Sequence, residues 1–160
     1  MKSVMLATDG SPTAEKATQT AIELAQLLEA ELLVVTAWSI PYATVGLAPA
    51  PPLEGLAQLG EDDARKIVAA AAAQAEDAGV EARTLVLRGF PVEELCLAAE
   101  RFQPRFLVIG SHGWGAVRRA VFGSVSTGVL HRAKCPVLVV RAEGAEAPAG
   151  TEERNSVRAA

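Results

Sequence analysis

The chain has 160 residues, half of them apolar, a formal charge of -4 and a pI near 5.2. That length suits one domain with a sizeable core, and the acidic balance argues against a nucleic-acid partner, which calls for a clustered excess of Lys and Arg. No run approaches the ~18 apolar residues needed to span a bilayer, and the opening Met-Lys-Ser-Val leads into no signal-peptide core, so the expectation is a cytoplasmic protein with no membrane partner.

In chain order, residues 3 to 7 form a short apolar run that stops at Thr8-Asp9-Gly10, a buried strand ending in a turn. Ser11 supplies an N-cap and Pro12 fits the first helical position, where its missing N–H is no loss. Ala14, Ala17, Ala21, Leu24, Ala25 and Leu28 then recur at helical steps and give a stripe that can lie on a sheet. Residues 32 to 38 lack polar alternation, as in a central strand covered on both faces. Residues 39 to 60, with Pro41, Pro49, Pro51, Pro52 and three glycines, read as a long mobile crossover.

A second helix is expected over residues 62 to 78, with Gly79 as its stop, and a third strand over 80 to 87. Pro91 opens a third helix with Glu93 and Glu94 in its first turn, and Pro104 ends it. A fourth strand covers 106 to 109. Residues 110 to 122 read as a loop, Ser124 as the cap of a helix reaching about residue 133, and a fifth strand runs from Pro136 to residue Val140. The Ala, Gly, Glu and Pro-rich tail, 142 to 160, reads as disordered beyond a domain spanning 1 to 141. Strands alternating with helices imply right-handed parallel crossovers, hence a three-layer, doubly wound, Rossmann-like α/β sheet of five strands. Ligands of such sheets sit outside the carboxyl ends of the strands, where Asp9, Ala37 and Gly110 fall.

The most informative segment is Gly110-Ser111-His112-Gly113, nine intervening residues, then Gly123-Ser124-Val125-Ser126. Between a strand and a helix, these glycines let the backbone approach a polyphosphate. Helix N-terminal amides and the Ser124 and Ser126 hydroxyls can donate to its oxygens. No Walker lysine, catalytic triad or water-orienting group is visible, so hydrolysis should be slow if it occurs.

With the opening Ala7-Thr8-Asp9-Gly10-Ser11 and the closing Cys135-Pro136-Val137-Leu138-Val139-Val140, this motif resembles the ATP-binding members of the universal stress protein family. The resemblance implies a five-stranded parallel sheet of order 3-2-1-4-5 and ATP as cofactor, with magnesium as a further candidate. It implies that Asp9 meets ribose or a magnesium-bound phosphate and that Ala37 meets adenine through its backbone. Gly110, Gly113, Gly123, Ser124, Val125 and Ser126 would wrap ribose and phosphates, with Ala7, Thr8, Ile109 and His112 completing the set. Thr36 and Pro104-Arg105 depart from the family pattern, where histidine and aspartate are common. Cyclic AMP fits the same cradle. A nucleotide-independent dimeric interaction protein and a slow ATPase are the competing functional readings.

Other residues leave two readings each. Asp9 is either a ligand residue or a turn former. His112 either bonds a phosphate or is a solvated loop histidine. Arg118 and Arg119 either reach the outer phosphates or are solvated. Trp38 and Trp114 either flank the purine or pack the rim. His131, late in the last helix, reads as structural. Cys96 and Cys135, outside any CxxC pattern, read as core thiols rather than zinc ligands or a disulfide framework. The apolar fifth strand, lying at a sheet edge, suggests a homodimer that covers it.

Overall fold

The computed structural model describes residues 2 to 39, 53 to 113 and 122 to 141. The expectations for Trp114, Arg118, Arg119, the tail and most of the 39 to 60 crossover lie outside the described residues. The elements are β1 (Ser3–Ala7), α1 (Pro12–Leu28), β2 (Glu31–Trp38), α2 (Leu53–Asp77), β3 (Ala82–Arg88), α3 (Pro91–Phe102), β4 (Phe106–Gly110), α4 (Ser124–Arg132) and β5 (Val137–Val140). The five strands form one parallel sheet of order β3-β2-β1-β4-β5. β2 is interior, as its apolar run predicted, but the middle strand is β1.

Side-chain alternation divides the sheet between two cores. Val4 and Leu6 of β1, Leu32 and Val34 of β2 and Val108 of β4 face Ala17, Ala21 and Ala25 of α1 and Val68, Ala71 and Ala75 of α2. Their neighbours Met5, Ala7, Leu33, Val35, Leu107 and Ile109 face Leu95, Ala98 and Ala99 of α3 and Val129 of α4. Covering both faces removes any need for polar alternation, which explains the unbroken apolar strand sequences.

α1 begins as its sequence indicates. The buried Ser11 hydroxyl accepts the Ala14 N–H at 3.2 Å, and Pro12 occupies the first turn. Ser11→Ala is expected to cost about 1 kcal/mol of folding stability, read as a lower urea midpoint with unchanged slope.

α2 begins at Leu53, well before the expected residue 62. Gly55 and Gly60 weakened the helical pattern, yet Gly60 has a packing reason. A β-carbon there would lie 2.7 Å from the Trp38 ring, so only glycine lets α2 come this close. Trp38 thus packs against α2, with the Arg88 guanidinium 5.6 Å from its ring centre, and does not line the cavity described below. At the far end Gly79 stops α2 with φ +76, as anticipated.

Cys96 is buried in α3, whereas Cys135, just before β5, is only partly so. Burial pushes both thiols above their ordinary range, opposed at Cys96 by nearby Arg132. No described helix is long and apolar enough to cross a membrane.

Candidate functional site

A cavity of about 490 Å3 opens at the carboxyl ends of β1, β2 and β4, on the α3 and α4 face of the sheet. It lies beside the point where strand order reverses between β1 and β4, the general position of ligand sites in open α/β sheets. Its volume is within the range of small-molecule sites. Ala7, Thr8, Asp9, Ala37, Ile109, Gly110, His112, Gly113, Gly123, Ser124, Val125 and Ser126, all singled out in the sequence, line it together.

The β1 end is a tight turn. The Thr8 hydroxyl accepts the Gly10 N–H at 3.3 Å, and Asp9 Oδ1 accepts the Ser11 N–H at 3.0 Å. Gly10 itself has φ +72, a conformation that favours glycine. One carboxylate oxygen of Asp9 therefore forms the turn, while Oδ2 faces Gly113 so closely that a β-carbon on Gly113 would overlap it. The turn reading of Asp9 and its place in the cavity are compatible because the carboxylate has two oxygens.

Gly110 ends β4 against the start of α1. A β-carbon there would lie 3.2 Å from the Thr13 carbonyl carbon and from the Ala14 nitrogen, both main-chain atoms that cannot swing aside. Gly123 is held likewise. Its N–H donates to the Ser111 carbonyl at 2.6 Å, and a β-carbon would lie 3.3 Å from that oxygen. The two glycines bring three backbone segments together where side chains would hold them apart.

α4 differs from its sequence reading at one residue. The N-cap is Gly123, in extended conformation, and Ser124 is the first helical residue, with no side-chain capping bond at this end. The first helical hydrogen bond is from Thr127 N–H to the Gly123 carbonyl at 3.0 Å, so the amides of Ser124, Val125 and Ser126 precede the helical ladder. Together with the positive end of the helix dipole they make an anion-favouring rim. The exposed Ser124 hydroxyl lines the cavity. The expected phosphate donation from the Ser126 hydroxyl meets a competing arrangement. That hydroxyl is buried and shares its one proton between the carbonyls of Ser111 at 2.9 Å and Gly123 at 3.0 Å. Only the main-chain N–H of Ser126 remains for an anion.

Five lining residues escaped the sequence reading: Ala14, Val35, Pro91, Leu95 and Phe122. Val35 lies two residues before Ala37 and so on the same strand face. Pro91 and Leu95, one helical turn apart, bring the start of α3 to the cavity, a position inferable because α3 follows the carboxyl end of β3. These residues make one part of the wall apolar, apart from the amides of α4. The exposed His131 lies in the last turn of α4, as expected.

The universal stress protein family model matches residues 1–141. A universal stress protein of Methanocaldococcus jannaschii is 30% identical over 141 residues, covering 88% of this chain and 82% of its own. Among solved structures, a universal stress protein in complex with cAMP aligns at TM-score 0.64 and 26% identity, covering 87% of this chain and 96% of its own. The universal stress protein from Archaeoglobus fulgidus in complex with dAMP aligns at TM-score 0.61 and 23% identity, covering 88% and 97%, a likeness of fold. With the sheet order, the glycine-bounded cavity and a match over nearly all described residues, the chain belongs to the universal stress protein family.

Proposed function

We propose that this protein holds ATP in the cavity at the carboxyl ends of β1, β2 and β4 and acts as a cytoplasmic, nucleotide-dependent regulatory protein of the stress response, with little or no hydrolysis. One observation carries the reading: the cavity has chemically distinct parts suited to an adenine nucleotide. Val35, Pro91 and Leu95 form apolar wall for a flat base. The amides that start α4, approached through Gly110 and Gly123, suit the phosphates. Asp9, at the β1 end of the cavity, is the candidate for ribose or for a magnesium ion that would neutralise phosphate charge. The cAMP and dAMP complexes of related folds support an adenylate as the ligand class.

The test is to denature freshly purified protein and identify what it releases by chromatography and mass spectrometry. An adenine nucleotide is expected, and the emptied, refolded chain should rebind ATP in titration calorimetry. Ser124→Ala should then weaken binding by about 1.5 to 3 kcal/mol, the range for a hydrogen bond to a charged oxygen. Protein that carries no nucleotide and gives no heat with ATP, AMP or cAMP would refute the reading.

The same reading includes a homodimer formed through β5. This strand is the sheet edge, its sequence is Val-Leu-Val-Val, and Leu138 is exposed on it. An apolar edge strand is a hazard unless covered, and a second copy would cover it. Light scattering with size exclusion at micromolar concentration should give twice the chain mass; a clean monomer would count against the pairing.

A further inference from the structure

We propose that Ser111 fixes the tautomer of His112, so that His112 offers its Nε2–H as a hydrogen-bond donor to a phosphate oxygen of the bound nucleotide. This inference rests on the reading of the cavity as an adenylate site and assigns a role to a side chain there. His112 lines the cavity and is half-buried. Ser111 does not line it and is 1% exposed, so it acts only through its neighbour.

Ser111 is pinned on both sides of its side chain. Its N–H donates to the Val140 carbonyl at 2.7 Å, and its carbonyl accepts from Gly123 N–H and from the Ser126 hydroxyl. The Ser111 Oγ lies 3.1 Å from His112 Nδ1.

The direction of that bond follows from burial. A buried hydroxyl must place its proton on an acceptor, and among the described residues the acceptor found for Ser111 is His112 Nδ1. Were Nδ1 protonated, the ring would donate to Oγ and the serine proton would lack that acceptor. With Nδ1 accepting, a neutral imidazole carries its proton on Nε2. The bond made by one ring nitrogen sets what the other can do. The sequence reading left His112 open between phosphate contact and a solvated loop; the Ser111 bond favours the first because it orients the ring.

The chain has two histidines, which makes the assignment measurable. In two-bond nitrogen–proton correlation spectra of the imidazoles, with the exposed His131 as internal reference, wild-type His112 is expected to show the Nε2–H tautomer. Ser111→Ala should give a mixture of tautomers, and Ser111→Thr, which keeps the hydroxyl, should restore the wild-type pattern. A wild-type Nδ1–H tautomer would overturn the assignment.

Binding supplies the second arm, with AMP and adenosine as probes. His112→Ala should weaken AMP about tenfold and leave adenosine unchanged, because only AMP carries the phosphate. His112→Gln, whose amide nitrogen reaches about as far as Nε2, should recover most of the loss, while His112→Asn, which mimics Nδ1, should not. Equal AMP affinity in wild type and His112→Ala overturns the role of His112 while leaving the nucleotide site standing. Wild-type protein that binds no adenylate at all overturns the site reading and this role with it.

Discussion

Gly123→Val is expected to reduce adenylate affinity on the order of a hundredfold while leaving the chain folded. At Gly123 the backbone angles, φ -73 and ψ 166, are open to any residue, so no conformational penalty arises. The obstacle is steric. A β-carbon would lie 3.3 Å from the Ser111 carbonyl oxygen and 3.4 Å from the His112 Cα, and valine adds two methyl groups beyond it. The main-chain atoms must give way, which moves the Ser124 and Val125 amides from the positions that suit a phosphate. Gly113→Val should act as strongly by another route, since its side chain would collide with the Asp9 carboxylate. Titration calorimetry with ATP on both variants, with circular dichroism as the check on folding, measures the effect. Wild-type affinity in both would remove this loop from the binding site.

The largest expected effect on stability is that of Leu107→Ala, about 2 to 5 kcal/mol. Leu107 is fully buried on β4, which pairs with β1 on one side and β5 on the other, and it packs in the core beneath α3 and α4. Its removal leaves a void that a paired strand can close only by shifting its neighbours. Urea unfolding should show a lower midpoint with little change in slope. A loss below about 1 kcal/mol would mean that the α3 and α4 layer relaxes into the gap, contrary to the close packing of protein interiors.

Much of this fold was legible because its signals are local and unambiguous. Ser11-Pro12 marks the start of α1, Gly79 the end of α2, and the unbroken Val and Leu runs mark strands covered on both sides. Where reading failed, the deciding interaction was tertiary. Gly55 and Gly60 suggested a loop, whereas Gly60 is helical and bare so that Trp38 can lie against it. The caps of α1 and α3 carry no glycine signal either: Glu29 and Gln103 take left-handed conformations, with φ 49 and 47.

The candidate site was legible on its polar side, where glycine and serine spacing reports backbone geometry directly. It was less so on its apolar side. Pro91 and Leu95 look like ordinary helix residues until the sheet order brings the start of α3 to the β2 end. The Ser126 hydroxyl shows the opposite limit. Its residue type suggested a ligand contact, but two carbonyls within 3.0 Å claim its proton, and no spacing rule reveals such competition.

The division of the sheet into two separate cores has a further implication for how such a molecule can diversify. Every strand side chain that lines the cavity, from Ala7 and Val35 to Ala37 and Ile109, belongs to the α3 and α4 layer, while α2 is packed on the opposite layer. The outer surface of that long helix is thereby open to substitution at little cost to the cavity on the other side. New protein contacts can accumulate there while the residues lining the cavity stay unchanged.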